Sequence, residues 1–161
     1  MEQQIADTQQ QQLLLRELLQ LRASQTLLNN RIHDRAAELA IKVLEDRHPG
    51  LNLHYAGAAR GGLDIRGTLH DKLVLVCEVS THDKYQGNRK TNVDEDLQRV
   101  QQSSAKRDKK YLAVVSESLA SALRRNQHVA SAFPDVQILD VLGTLPPPAA
   151  SSPLGGGQPE R

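Results

Sequence analysis

Apolar residues recur along this chain with two periods, and the change from one to the other divides it. Over residues 6–47 neither Pro nor Gly interrupts a sequence rich in Gln, Leu, Arg, Glu and Ala, all good helix formers. His48-Pro49-Gly50 then supplies a stop, because proline cannot continue a helix and glycine favours its end. The pattern predicts one long helix, or two with a break near Asn29-Asn30. Within it Leu14, Leu18, Leu21, Gln25, Leu28, Ile32, Arg35 and Leu39 alternate spacings of four and three. That is the seam of a short coiled coil with Gln25 as a polar interruption. Ala37, Ile41 and Leu44 form another stripe, so residues 31–47 are expected to pack on a domain while the preceding segment projects as an arm.

After Gly50 the period becomes two. Leu51, Leu53 and Tyr55 alternate with polar residues, the stretch 57–62 interrupts with three glycines, and Leu63-Asp64-Ile65-Arg66-Gly67-Thr68 follows, the pattern of strands separated by a breaker. His70-Asp71-Lys72 reads as a hairpin turn into Leu73-Val74-Leu75-Val76-Cys77-Glu78-Val79. So continuous an apolar run is expected of a strand buried on both faces. A polar loop over 81–92, a helix over 93–106 with Val93, Leu97 and Val100 on one face, a buried strand over 111–116, a helix over 118–132 and a strand over 136–141 complete the order. The expected class is α/β (α+β), a mixed central sheet flanked by helices behind an N-terminal helical arm. The expected divisions are an arm over 1–30, a domain over 31–145 and a disordered tail over 146–161. The tail, PPPAASSPLGGGQPER, is too poor in apolar surface to offset the entropy of ordering it.

Composition narrows this in four ways. A chain of 161 residues suits one domain with appendages, since two would each bury too little. Aromatics make up 2% and Trp is absent, so the core must be aliphatic. A formal charge of +1 gives no overall basic field, and any contact with phosphates has to come from a local patch. The single Cys77 excludes internal disulfides and Cys-rich zinc sites and suits a reducing compartment. The first residues lack the order of a signal peptide and no apolar run is long enough to span a bilayer; a cytoplasmic protein without membrane contact is expected.

The candidate chemistry lies in the hairpin. Asp64 and Glu78 fall on adjacent antiparallel strands, where side chains of opposed residues approach one another. Two carboxylates converging there form a site for a hard cation such as Mg²⁺, which polarises a phosphoryl oxygen and lowers the pKa of bound water. Without a metal they repel, so at least one is expected to have a raised pKa. A glutamate closing an apolar strand is costly to bury unless a metal or cation meets it; pairing of the aspartate with Arg66 is the alternative explanation for its placement. Ser80 is better explained as a strand-end or turn residue and Glu38 as a surface acid paired with Lys42, while the six histidines lack metal-ligand spacing and are expected at turns or in solvent.

At Asp64 and Glu78, in this order of elements, the chain resembles the PD-(D/E)xK, or restriction-endonuclease-like, nuclease superfamily over roughly residues 31–141. The resemblance implies that Asp64 and Glu78 hold Mg²⁺ and that DNA is the substrate. Ser80 stands where the family has the lysine that orients or activates water, a departure that leaves Lys84 in the following loop as the candidate for the missing charge. Glu38 falls where some relatives place an auxiliary acid, and Gln98 where relatives often carry a glutamine. Lys84, Arg89 and Lys90 form a basic stretch suited to phosphate contacts, which carry affinity without sequence; a solvated helix face explains it equally well. Two functions follow from these residues: a Mg²⁺-dependent, restriction-like DNA endonuclease working as a dimer, or an inactive nuclease-like scaffold whose leucine-rich arm recruits a coiled-coil partner.

Overall fold

The computed structural model describes residues 2–56 and 63–143, with side chains from Leu15 onward except that of Leu18. Helix α1 runs over Glu2–Arg47. Strands β1 (Asn52–Tyr55), β2 (Ile65–Leu69) and β3 (Lys72–Ser80) follow, then helix α2 (Gly87–Gln102), a 3₁₀ turn (Arg107–Lys109), strand β4 (Lys110–Val114), helices α3 (Glu117–Arg125) and α4 (Gln127–Ala132), and strand β5 (Val136–Asp140). The strands lie in sequence order in one five-stranded mixed sheet. β1, β2 and β3 pair antiparallel, while β3, β4 and β5 pair parallel through helical crossovers.

Helices cover both faces of the sheet. On one, Ala36, Ala37, Ala40 and Leu44 of α1 pack on Ile65, Leu75, Cys77, Val79, Ala113 and Leu139; the three alanines let the helix approach closely. On the other, Val93 and Leu97 of α2 and Leu119, Ala120 and Leu123 of α3 meet Leu112 and Val114, and Val100 meets Val76. β3 is therefore buried along nearly its whole length, as its apolar run requires. The buried Lys110 ammonium donates to the Gln101 carbonyl at 2.6 Å, closing the C-terminal turn of α2 where orphan carbonyls attract cations.

Several expectations are corrected. The helix does not break at Asn29-Asn30. α2 begins at Gly87 rather than Val93, so its first turns occupy what reads as a polar loop. The expected helix over 118–132 is two, because Asn126 ends α3 and its side chain caps α4 by accepting from the backbone N–H groups of His128 and Val129. On the N-terminal part of α1, Leu21 is 67% and Leu28 58% exposed. Among the described residues no helix is long and apolar enough to cross a membrane. The glycine-bearing stretch 57–62 and the expected tail lie outside the described residues.

The β2–β3 hairpin fixes the register on which the site depends. His70 and Asp71 form its two-residue loop with φ of 49° and 60°, the left-handed conformations a type I′ turn demands. A bulge between Gly67 and Thr68 shifts the pairing, after which Gly67 faces Leu75 and Ile65 faces Cys77. At Gly67 a Cβ would stand 2.7 Å from Leu53 and 2.9 Å from Leu75, so only glycine lets β1 and β3 close on β2 there.

Candidate functional site

Asp64 immediately precedes β2, and the Ile65–Cys77 pair sets it across from Glu78. Asp64 and Glu78 are only 6% and 4% exposed. Their strands are clasped reciprocally: the Asp64 backbone N–H donates to Glu78 Oε2 at 3.2 Å, and the Val79 N–H donates to Asp64 Oδ2 at 2.8 Å. Each carboxylate thus takes the place of a carbonyl at the end of the ladder. The Asp64 carbonyl in turn accepts from Ala56 N–H at 2.7 Å, tying the site to the end of β1.

Two helices reach the acids from opposite sides. From α1, His33 Nε2 lies 3.2 Å from Asp64 Oδ2, and its Nδ1 lies 3.1 Å from the Tyr55 hydroxyl. That hydroxyl donates to Asp34 Oδ1 at 3.0 Å, so both ring nitrogens of His33 face oxygens that can accept from them. The hydrogen bond to Asp64 accordingly holds the His33 pKa above its ordinary value against the opposing effect of burial. From α2, Arg99 Nε donates to Glu78 Oε1 at 3.1 Å, and its Nη2 bridges Glu78 and Asp96.

Asp96 makes the cluster one of three carboxylates. Burial, then the charge of Glu78, pushes its pKa up to about 7. Glu78 is raised as well, by burial and then by Asp64, with Arg99 opposing both. Ser80, on the same strand face two residues beyond Glu78, is 2% exposed, and its hydroxyl has no hydrogen-bond partner among the described residues. A buried hydroxyl left this way is costly unless something absent from the protein's own atoms meets it.

The residues singled out by sequence are only partly brought together. Asp64 and Glu78 come together at the end of the hairpin, and Ser80 lies two residues beyond Glu78 on the same strand face. Lys84 is exposed in the following loop, and the cation that meets Glu78 is Arg99 instead. Arg89 pairs with Asp83, and Lys90 pairs with Asp94 at 2.6 Å while lying 5.2 Å from the Tyr85 ring centre; both remain about half exposed at the start of α2. Arg66 is exposed and Asp64 pairs with His33 rather than with it. Glu38 pairs with Arg35 at 2.6 Å, not with Lys42, and stands exposed away from the acids; Gln98 is exposed beside Arg99 in a shallow groove. The reading of every histidine as a solvent or turn residue fails for His33; His48 does sit in the turn that ends α1, where its Nε2 lies 2.8 Å from the Tyr111 hydroxyl. Sequence reasoning missed His33, Asp96 and Arg99. Asp96 and Arg99 carry an available signal, an i, i+3 pair on a helix following the second acid.

Among the described residues no group of three or more His, Cys, Asp and Glu side chains stands at ligand spacing for a metal ion. Arg99 and His33 engage the two buried acids. The donor chemistry nevertheless suits a hard divalent cation: carboxylates in excess over the cations that face them, raised proton affinity at Glu78 and Asp96, and an unpartnered hydroxyl alongside. No protein-family model, curated protein or solved structure matches the chain.

Proposed function

We propose that this chain is a divalent-cation-dependent phosphodiesterase acting on DNA, with a restriction-endonuclease-like core in which Asp64 and Glu78 hold Mg²⁺. The observation that carries the reading is the buried pair of Asp64 and Glu78 at a strand end, with the partly buried Asp96 of α2 joined to it through Arg99 and the orphan Ser80 hydroxyl on the same strand. Mutually repelling buried acids are unfavourable for folding, and such perturbed groups concentrate at functional sites. The bound ion would supply Lewis-acid polarisation of a phosphoryl oxygen and a water of lowered pKa.

The chain's own residues divide the remaining work. Val79 N–H and His33 fix the orientation of Asp64. Arg99 bridges Glu78 and Asp96, so it has a second acid to retain it when Glu78 is given to a cation, and its planar fork suits a phosphate as well as a carboxylate. Arg89 and Lys90, half exposed on the first turn of α2, are placed to meet a phosphate backbone. Ser80 supplies a hydroxyl, not an ammonium, and the positive charge nearest Glu78 comes from α2.

Titration of the full chain with Mg²⁺ or Mn²⁺ by calorimetry, with cleavage of duplex DNA assayed in parallel, tests this. Binding heat, a raised melting temperature by mass action and cleavage are expected, all lost in Asp64→Asn and Glu78→Gln. Ser80→Lys is expected to raise cleavage. The second reading, an inactive scaffold, is favoured by one observation: Arg99 and the Asp64 N–H already occupy both oxygens of Glu78. Absence of metal binding in the wild type would decide for it.

A further inference from the structure

We infer that the arm of α1 forms a parallel, in-register coiled coil with a second copy of this chain, its register set by Gln25 facing Gln25 and by Glu17 facing Arg22 across the seam. The inference is independent of the chemistry at Asp64. Its first support is the unpartnered stripe: Leu21, Leu28 and Ile32 are 67%, 58% and 42% exposed, although they repeat at the spacing of a seam. Among the described residues the buried part of α1 begins at Ala36, and the seam first meets domain side chains at Ile32, which borders Val115 and Leu142.

The second support is self-complementarity. With Leu14, Leu21 and Leu28 at d and Leu18, Gln25 and Ile32 at a, Glu17 falls at g and Arg22 at the following e. In a parallel pair, g of one helix meets the next e of its partner, so the assignment gives two Glu17–Arg22 contacts of opposite charge. Gln25 at an a position meets its own copy in this arrangement, and each amide both donates to and accepts from the other. An antiparallel pair sets a against d, burying each Gln25 amide against leucine with nothing to satisfy it. A single polar a position of this kind fixes register and strand number at some expense in stability.

The seam also has a definite end. From Leu14 to Ile32 it is about 27 Å long at 1.5 Å per residue. The next d position is Arg35, whose side chain is 80% exposed and paired with Glu38. There the stripe runs into an open apolar groove formed by Ile32, Ala36 and Leu39 with Val115 and Leu142. The charge at Arg35 stops knobs-into-holes packing where the two domains begin and holds them apart.

Sedimentation equilibrium and cysteine cross-linking of the full chain test the arrangement. A dimer is expected. Leu18→Cys is expected to form an interchain disulfide under mild oxidation, because the native Cys77 is buried and does not compete; in an antiparallel pair the two introduced thiols would be some ten residues, or about 15 Å, apart. Glu17→Arg and Arg22→Glu should each weaken the dimer about tenfold by creating two like-charge contacts in place of two attractive ones. The double variant, in which the charges are exchanged, should associate as the wild type does. A monomer, a dimer that Leu18→Cys fails to cross-link, or a double variant as weak as the singles would each overturn the proposal.

Discussion

Asp64 and Glu78 look equivalent in the sequence, one acid on each strand of a hairpin, yet their surroundings set them apart. Asp64 is met by a backbone N–H and by His33; Glu78 is met by a backbone N–H and by Arg99, yet burial and then the charge of Asp64 still raise its pKa. Removing the Asp64 charge therefore strips favourable contacts from the apo fold instead of relieving it, and Asp96 is the acid whose neutralisation should help. Its folded pKa of about 7 lies above the ordinary 3.8, so between those values the folded state binds the extra proton and stability falls as pH rises. His33, also raised, acts in the same direction: its contribution is complete below its ordinary value and is lost as pH rises through the folded one. The metal-free melting temperature should thus decline from about pH 5 to about pH 8, and Asp96→Asn should flatten the decline and raise the value at the alkaline end. A melting temperature that is level or climbs over that range sinks the argument. The hairpin acids were legible because an acid interrupts an apolar strand; His33 was not, because only packing brings a helix residue 31 positions earlier onto Asp64.

At the scale of elements, turn chemistry connects sequence to site. The His70-Asp71 loop sets which residue of β3 opposes Asp64, and both loop residues adopt left-handed backbone conformations that cost a side chain roughly 1 kcal/mol each relative to glycine. Asp71→Gly should stabilise the protein by about 0.5–1 kcal/mol, after allowance for glycine's greater freedom in the unfolded chain, and leave metal affinity unchanged because the register is retained. Chemical denaturation measures the first and calorimetry the second; a loss of stability would mean that the Asp71 side chain contributes something the backbone conformation does not require. The same elements show what pattern can and cannot reveal. Val93, Leu97 and Val100 declared the buried face of α2. Its start went unread because Gln86 makes no side-chain cap and residues 87–92 are polar throughout. Asn126 did carry a signal, as asparagine is among the best N-caps, but the apolar spacing on either side of it masks the break.

Across the whole molecule, two parts of one helix are stabilised by different means. α1 is 46 residues long, yet among its described side chains only the segment from Ala36 to Leu44 contributes fully buried residues to the core. The order of layers could be read from the sequence because each strand is an apolar run of its own; the boundary between arm and domain could be placed only roughly, because the two stripes on α1 overlap near Ile32 and Leu39. The arm's helicity then depends on what its leucines meet. An unpacked helix in water is marginal even when its residues favour helix, since nucleation is costly and propagation adds little per residue. If a second chain covers the seam, dilution below the dissociation constant should reduce far-ultraviolet helical ellipticity by the arm's share, while the near-ultraviolet signal of Tyr55 and Tyr111, held against His33 and His48, stays constant. Leu21→Glu together with Leu28→Glu should give that reduced ellipticity at every concentration and leave the thermal unfolding of the domain intact. Ellipticity independent of concentration in a monomeric wild type would show that the arm is helical on its own propensity. Loss of both signals together would mean that arm and domain fold as one cooperative unit, contrary to the division of α1 drawn from its burial.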